Sequence, residues 1–198
     1  NYDPEQTVDG VGWAKRQVLP LVEIRTPFTL NQFELDSVTR GSKDPDLAPL
    51  QDAARKTALF EDKAVYQGFP KGGVEGVLNA TEQKPVELPK AIESCPDVVA
   101  TALEQMRLTG IGGPYALVLS PDRYERLVQT TKTGFPLFRV VEDLLGGKVT
   151  WSAAVKGGIV LSRRGGDFEL TVGQDLSVGY LFHDKDEVEL YLTESFAF

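Results

Sequence analysis

The chain has 198 residues, with 21 Lys or Arg against 29 Asp or Glu, a formal net charge of −8; 41% of residues are apolar and 25% charged. That balance is globular, and the length suits one large domain or two small ones. The negative charge argues against phosphate backbones as partners, no apolar run approaches bilayer length, and one Cys and one His exclude an intrachain disulfide and a zinc site built only from Cys and His.

The sequence opens on Asn1 with no signal or transit pattern ahead of the folded part. Residues 1–12 are polar and turn-like, and 13–25 read as extended chain. Within it Leu19-Pro20-Leu21-Val22-Glu23-Ile24-Arg25 is β-rich, and Pro20 restricts it to an edge or irregular strand. Trp13, Leu19, Leu21 and Ile24 are its large apolar groups. Such an arm either reaches toward another subunit or docks as a terminus on its own domain. A short helix begins near Asn31-Gln32-Phe33-Glu34-Leu35-Asp36, with Thr29 or Asn31 as N-cap, and ends in the loop 40–43. Asp44-Pro45-Asp46 is a start signal in which Asp caps and Pro takes the first helical position. It predicts a helix over 45–67 that Gly68 stops, with Leu47, Leu50, Ala54, Thr57, Ala58 and Val65 on one stripe. At about 1.5 Å per residue this is a stiff spine of roughly 30 Å. Its acids Glu61 and Asp62 are expected to pair with Arg55 or Lys56 on the surface. A glycine-rich loop (68–76) and a polar linker (81–89) follow.

A second unit begins with a predicted helix over 96–108, turning Val98, Val99, Ala102, Leu103 and Met106 inward. Gly110-Ile111-Gly112-Gly113-Pro114 breaks it, and Tyr115-Ala116-Leu117-Val118-Leu119 reads as a buried strand. Ser120-Pro121-Asp122 caps a further helix carrying Tyr124, Leu127 and Val128, residues 130–136 form a polar loop, and a helix over 138–145 stops at Gly146. Strands are expected over 149–152, 158–162, 167–172, 176–181 and 188–193, the last three with alternating faces. Helices and strands mix without a regular βαβ repeat, so the fold class is α+β.

The patterns that carry chemistry are sparse. Gly110–Gly113 lacks dinucleotide-loop spacing and precedes a strand, and neither a phosphate-binding Gly-x-x-x-x-Gly-Lys loop nor a Gly-x-Ser-x-Gly elbow occurs. His183-Asp184-Lys185-Asp186-Glu187 reads as a hairpin turn or, alternatively, as a metal cluster. Asn79-Ala80-Thr81 matches a glycosylation acceptor. Cys95 opens a helix, where a thiolate is favoured, or is an inert structural thiol. The residues thus describe an acidic α+β protein with an extended arm and no catalytic centre.

Eight segments, in order along the chain, resemble the encapsulin shell proteins: Pro20-Leu21-Val22-Glu23-Ile24-Arg25-Thr26-Pro27-Phe28, Glu34-Leu35-Asp36, Arg40-Gly41, Ala64-Val65-Tyr66-Gln67-Gly68, Gly113-Pro114-Tyr115-Ala116-Leu117-Val118-Leu119, Arg164-Gly165-Gly166-Asp167-Phe168, Gly173-Gln174-Asp175-Leu176-Ser177-Val178-Gly179-Tyr180 and Leu190-Tyr191-Leu192-Thr193-Glu194-Ser195-Phe196. The resemblance implies the fold of tailed-phage major capsid proteins: an extended loop or arm over 1–29, a peripheral domain over 30–92 with the spine helix at 45–67, an axial domain over 93–163, and return strands of the peripheral domain over 164–198. It also implies a non-enzymatic cytoplasmic shell subunit without cofactor or metal. Sixty copies, or a multiple of sixty, would close an icosahedral nanocompartment, with no nucleic acid and no membrane among its partners. The other partner would be a cargo enzyme bearing a C-terminal targeting peptide, either a ferritin-like iron-storage protein or a dye-decolourising peroxidase linked to oxidative stress. In that family a helical segment precedes the extended loop, whereas this sequence begins inside the loop; it is either a processed or partial form or a protein lacking that segment.

The resemblance assigns three sets of residues. Thr131, Lys132, Thr133, Gly134 and Phe135 would line a fivefold pore, and Trp13, Leu19, Leu21 and Ile24 would be the subunit-interface arm. Asp175, Leu176, Val178 and Tyr180 would bind cargo. On that strand Leu176, Val178 and Tyr180 alternate onto one face, Gly179 leaves room for close approach and Asp175 would hold a cation; the same alternation also fits a strand facing the core. The alternatives are a phage or prophage capsid protein that packages DNA and, in another class, an uncharacterised soluble enzyme.

Overall fold

The structure is a computed structural model and describes residues 6–16, 18–132 and 134–198. In chain order it contains β1 (Gln6–Val8), β2 (Val11–Trp13), β3 (Val22–Asn31), α1 (Gln32–Thr39), α2 (Ala48–Gln67), α3 (Val77–Ala80), α4 (Cys95–Leu108) and β4 (Tyr115–Leu119). It continues with α5 (Pro121–Gln129), β5 (Thr131–Lys132), β6 (Phe135–Pro136), α6 (Leu137–Leu145), β7 (Val149–Trp151), β8 (Gly158–Ser162), β9 (Thr171–His183) and β10 (Glu187–Ala197). The class is α+β. β1 and β2 pair around Asp9-Gly10, whose φ angles of +50° and +79° give the turn that matches strand twist; Asp-Gly is a dipeptide suited to it.

One sheet has the order β3-β10-β9, antiparallel throughout. Pro27 sits in β3, an edge strand, as a residue without an amide donor should. The chain then enters α1, where the Asn31 side chain accepts the Phe33 amide at 2.8 Å, an N-cap bond. α2 starts at Ala48, later than Asp44-Pro45 suggests: Asp46 Oδ1 accepts the Ala48 amide at 2.9 Å, and Pro49 occupies the first turn. Thr57 of the expected stripe is buried and Leu47, Leu50, Ala54 and Val65 are half-buried against the core clusters, with Ala53 and Ala64 buried beside them; Ala58 alone departs, being exposed. Ala53 packs with Phe28, Leu30 and Leu192, and Ala64 with Val74 and Phe196.

α2 ends at Gly68, as expected, with φ +88° and the Gly68 amide donating to Ala64 O. A Cβ there would lie 2.2 Å from Glu75 O, so only glycine fits. Asn79 Nδ2 donates to Gln67 O at 2.9 Å and to Glu75 O at 2.8 Å. The side chain of the sequon is therefore committed to closing the helix end.

The second sheet has the order β7-β4-β8, β4 being parallel to β7 and antiparallel to β8. β4, α4, α5 and α6 share a core in which Leu119, Leu127, Leu137 and Val141 are essentially inaccessible. Val99 and Leu103 are buried in it and Val98, Ala102 and Met106 half-buried, as the helical spacing predicts. Residues 130–136, expected as a loop, instead carry the ribbon β5–β6, with Lys132 opposite Phe135. The strands expected over 167–172 and 176–181 form one 13-residue strand, β9, that starts only at Thr171. The two sheets share no strand pairing. Between them Val77, Val118, Val155 and Ile159 form a buried seam with Val65 and Tyr66 of α2 against it.

Candidate functional site

β10 pairs Leu190 with Tyr180 and Leu192 with Val178, so these β9 side chains share the sheet face on which α2 packs. α2 covers β3 and β10 but leaves the edge strand β9 bare. Val178 and Tyr180 are each 58% exposed and Leu176 is 48% exposed. Of the two readings of the alternation, core strand or surface strip, the folded chain adopts the second. Beyond Tyr180 a register shift leaves Leu181 unpaired and sets Phe182 opposite Glu189, on the other face of the sheet, so the strip ends at Tyr180 although both side chains are exposed.

The lower end of the strip is a β-bulge. Thr193 pairs with Ser177 and Ser195 with Gln174, so Glu194 faces two residues, Asp175 and Leu176. Burial first, then Asp62 and Asp175, hold the Glu61 carboxyl above the ordinary range. Burial first, then Glu61 and Asp175, do the same to Glu194, whose Oε1 is buried without a hydrogen-bond partner. The expected pairing of Glu61 and Asp62 with Arg55 or Lys56 does not form: Arg55 binds Asp52 at 3.0 Å, and Asp62 accepts from Ser152 Oγ. The strip is thus apolar along its length and acidic at one end, a surface suited to an extended segment with alternate apolar side chains and a cation.

Gly179 plays a different part from the one expected. A Cβ at this position would stand 2.1 Å from Tyr191 Cζ, so the space it leaves is filled by the chain's own Tyr191, not kept for an incoming peptide. At the far end, Tyr180 Oη and His183 Nδ1 are 2.6 Å apart. Asp184 Oδ1 accepts the amides of Asp186 and Glu187, both at 2.8 Å, and these bonds hold its carboxyl below the ordinary range. The segment is a capped hairpin turn, and among the described residues no group of His, Cys, Asp and Glu is placed to hold a metal. Cys95 is buried, and burial pushes its thiol up, Arg123 opposing only in part, which favours the inert structural thiol of the two readings.

The hairpin β5–β6 projects Phe135, 69% exposed, beside Gly134 at φ +84°. Thr131 and Lys132 are exposed on its first strand, and Thr133 lies outside the described residues. In the arm, Trp13, Leu19 and Leu21 are exposed. Leu21 also folds back over Gly173, where a Cβ would meet its Cδ1 at 2.4 Å. Ile24 departs from the arm expectation: β3 begins at Val22, and Ile24, paired with Glu194, is half-buried against the Phe196 cluster of its own sheet. Sequence reading missed the Asp62–Ser152 contact, which joins residues far apart in the chain without any local pattern.

A family model described as an encapsulating protein for peroxidase matches residues 2–197. The type 1 encapsulin shell protein of Mycolicibacterium paratuberculosis is 41% identical over 196 residues, covering 99% of this chain and 74% of that one. Among solved structures, the virus-like particle of Pyrococcus furiosus superposes with a TM-score of 0.69 at 19% identity over 98% of this chain and 78% of that one. A Mycobacterium phage Cain chain superposes with a TM-score of 0.50 at 16% identity, covering 100% of this chain and 74% of that one. These two likenesses speak for the fold, that of phage-type capsid proteins. From the family match and the 41% identity, the chain belongs to the encapsulin shell-protein family.

Proposed function

We propose that this chain is the repeating subunit of a closed, cytoplasmic icosahedral compartment that holds a cargo enzyme and catalyses nothing itself. The observation that carries the reading is the apolar surface the chain leaves bare, in the arm, at the β5–β6 tip and along the β9 strip among other places. Exposed apolar patches mark surfaces that something else covers. Heterologous contacts that close on rotation axes turn one such subunit into a ring and several axes into a shell.

In this reading Trp13, Leu19 and Leu21 seat on a neighbouring copy. Residues 30–92 and 164–198 form the peripheral part, and 93–163 the part around a symmetry axis. Thr131, Lys132, Gly134 and Phe135 stand at the fivefold opening, Thr133 with them in sequence. Sixty copies or a multiple close the shell, with neither nucleic acid nor membrane as partner. Asp175, Leu176, Val178 and Tyr180 take the C-terminal tail of the cargo, and the many tails of an oligomeric cargo offset weak single contacts through effective concentration. The description of the matching family supports a peroxidase as cargo; a ferritin-like iron protein is the second candidate.

Co-expression tests this reading. A dye-decolourising peroxidase and a ferritin-like protein, each with its own C-terminal tail, are produced beside the chain and the particles purified. One of them should co-purify inside the particles and be lost when its tail is removed. Particles that capture neither, or that capture cargo without its tail, would contradict it.

A further inference from the structure

The two sheets of the subunit are joined covalently only by irregular stretches, over 81–91 and 163–170, and they exchange no strand pairing. The first stretch is tied to the second unit by Gln83, which donates to Thr109 Oγ1 at 3.0 Å, and by Arg123 and Arg126, which donate to the carbonyls of Pro89 and Lys90; α2 itself meets that unit at the turn after β7. The apolar cluster there, Val77, Val155 and Ile159 with Val65 and Tyr66, provides cohesion, which is non-directional and tolerates rotation. Direction comes from two hydrogen bonds. Ser152 Oγ donates to Asp62 Oδ2 at 2.5 Å, and Gln67 Nε2 donates to Ala154 O at 2.5 Å.

The receiving turn is itself rigid. Ser152 Oγ accepts the Ala154 amide at 3.1 Å, the Ser152 amide donates to Leu119 O at 3.1 Å, and the Val155 amide donates to Ser152 O at 3.2 Å. Ser152, Ala154 and Val155 are 4%, 2% and 3% exposed. The last two turns of the spine helix are thus fastened at two points to a turn anchored on β4, the central strand of the second sheet.

We propose that the Asp62–Ser152 and Gln67–Ala154 hydrogen bonds fix the angle between the two cores and through it the curvature, and so the size, of the assembled shell. The inference rests on the shell reading. A heterologous contact closes only when the rotation it imposes divides the circle, so a subunit whose two halves rock against each other closes into more than one particle size. Asp62 and Gln67 act as positioning residues: they touch no neighbour in this scheme, yet they orient the surfaces that do.

The test measures particle diameter by cryo-electron microscopy and particle mass by mass photometry, on the full chain. Asp62→Ala with Gln67→Leu should keep the wild-type far-ultraviolet dichroism but lose the single particle size, giving several diameters or open shells. Asp62→Asn retains an acceptor for Ser152 and should restore the single size when Gln67 is intact. Gln67→Leu alone is the gentler variant, read in the same way if the double variant unfolds. Variant particles with the wild-type diameter and mass overturn the inference while leaving the shell reading untouched. A wild-type chain that never assembles overturns both.

Discussion

The ring of Tyr191 on β10 lies across Gly179 on β9, so close that a Cβ on residue 179 would stand 2.1 Å from Tyr191 Cζ. Arg25 of β3 lies over the same ring, 5.1 Å from its centroid. One glycine thus lets an aromatic side chain brace the three strands from the face opposite α2.

Gly179→Ala must displace that ring, and overpacking of this kind costs about 1–3 kcal/mol. The expected outcome is a lower melting temperature with the fold retained, read by thermal unfolding. Gly134→Ala, in open space although at positive φ, should lower it less. Equal losses at both positions would contradict the bracing role.

The β9 strip should tolerate substitution without loss of the fold, because changes at exposed positions away from special features usually stay within ~0.5 kcal/mol. Asp175→Lys combined with Val178→Asp should therefore give intact particles that purify empty. Wild-type cargo loading in that variant would remove this strip from the docking surface.

Leu19→Asp tests the arm at a residue that is 60% exposed and belongs to none of the four buried apolar clusters. Size-exclusion chromatography should show folded, unassembled subunits. Leu21→Asp is a less clean probe, because Leu21 also covers Gly173 and its loss disturbs the subunit itself.

The Glu61–Glu194 pair yields a prediction in pH. Both carboxyls are raised in the folded chain, by burial first and then by neighbouring acids, while the unfolded chain has ordinary ones. A raised folded value means the folded state binds the proton more tightly. The stabilising contribution is present below the unfolded value and is lost as pH rises through the folded one. Glu61→Gln and Glu194→Gln should therefore gain stability relative to wild type near pH 7, and the gain should vanish as the pH falls below about 4. Denaturant unfolding across that range checks the sign. A variant less stable than wild type at pH 7 would contradict it.

Much of this architecture is legible in the sequence where the signal is local. The Asn31 cap, the Gly68 stop, the buried run at β4 and the turn at Asp184 follow from residue type at one position. The start of α2 is misread because Asp44-Pro45 and Asp46 with Pro49 are overlapping start signals, and the second one is used. Residues 1–12 read as polar and turn-like, whereas 6–13 form the Asp9-Gly10 hairpin, whose signature is an Asp-Gly pair flanked by Val8 and Val11. Alternation in β9 identifies a two-faced strand but not which partner covers a face; that depends on where α2 lies, a tertiary matter. Ile24 and Gly179 mislead for the same reason, since their neighbours Phe196 and Tyr191 come from β10, the end of the chain. The Asp62–Ser152 contact spans 90 positions and leaves no periodic trace at all.

The most direct measurement is cryo-electron microscopy of the purified full chain after size-exclusion chromatography. Closed, hollow icosahedral particles, with each arm laid on a neighbouring subunit and the β9 strip facing the lumen, are the predicted result. A monodisperse monomer or dimer, or a particle with the β9 strip on its outer surface, would contradict it.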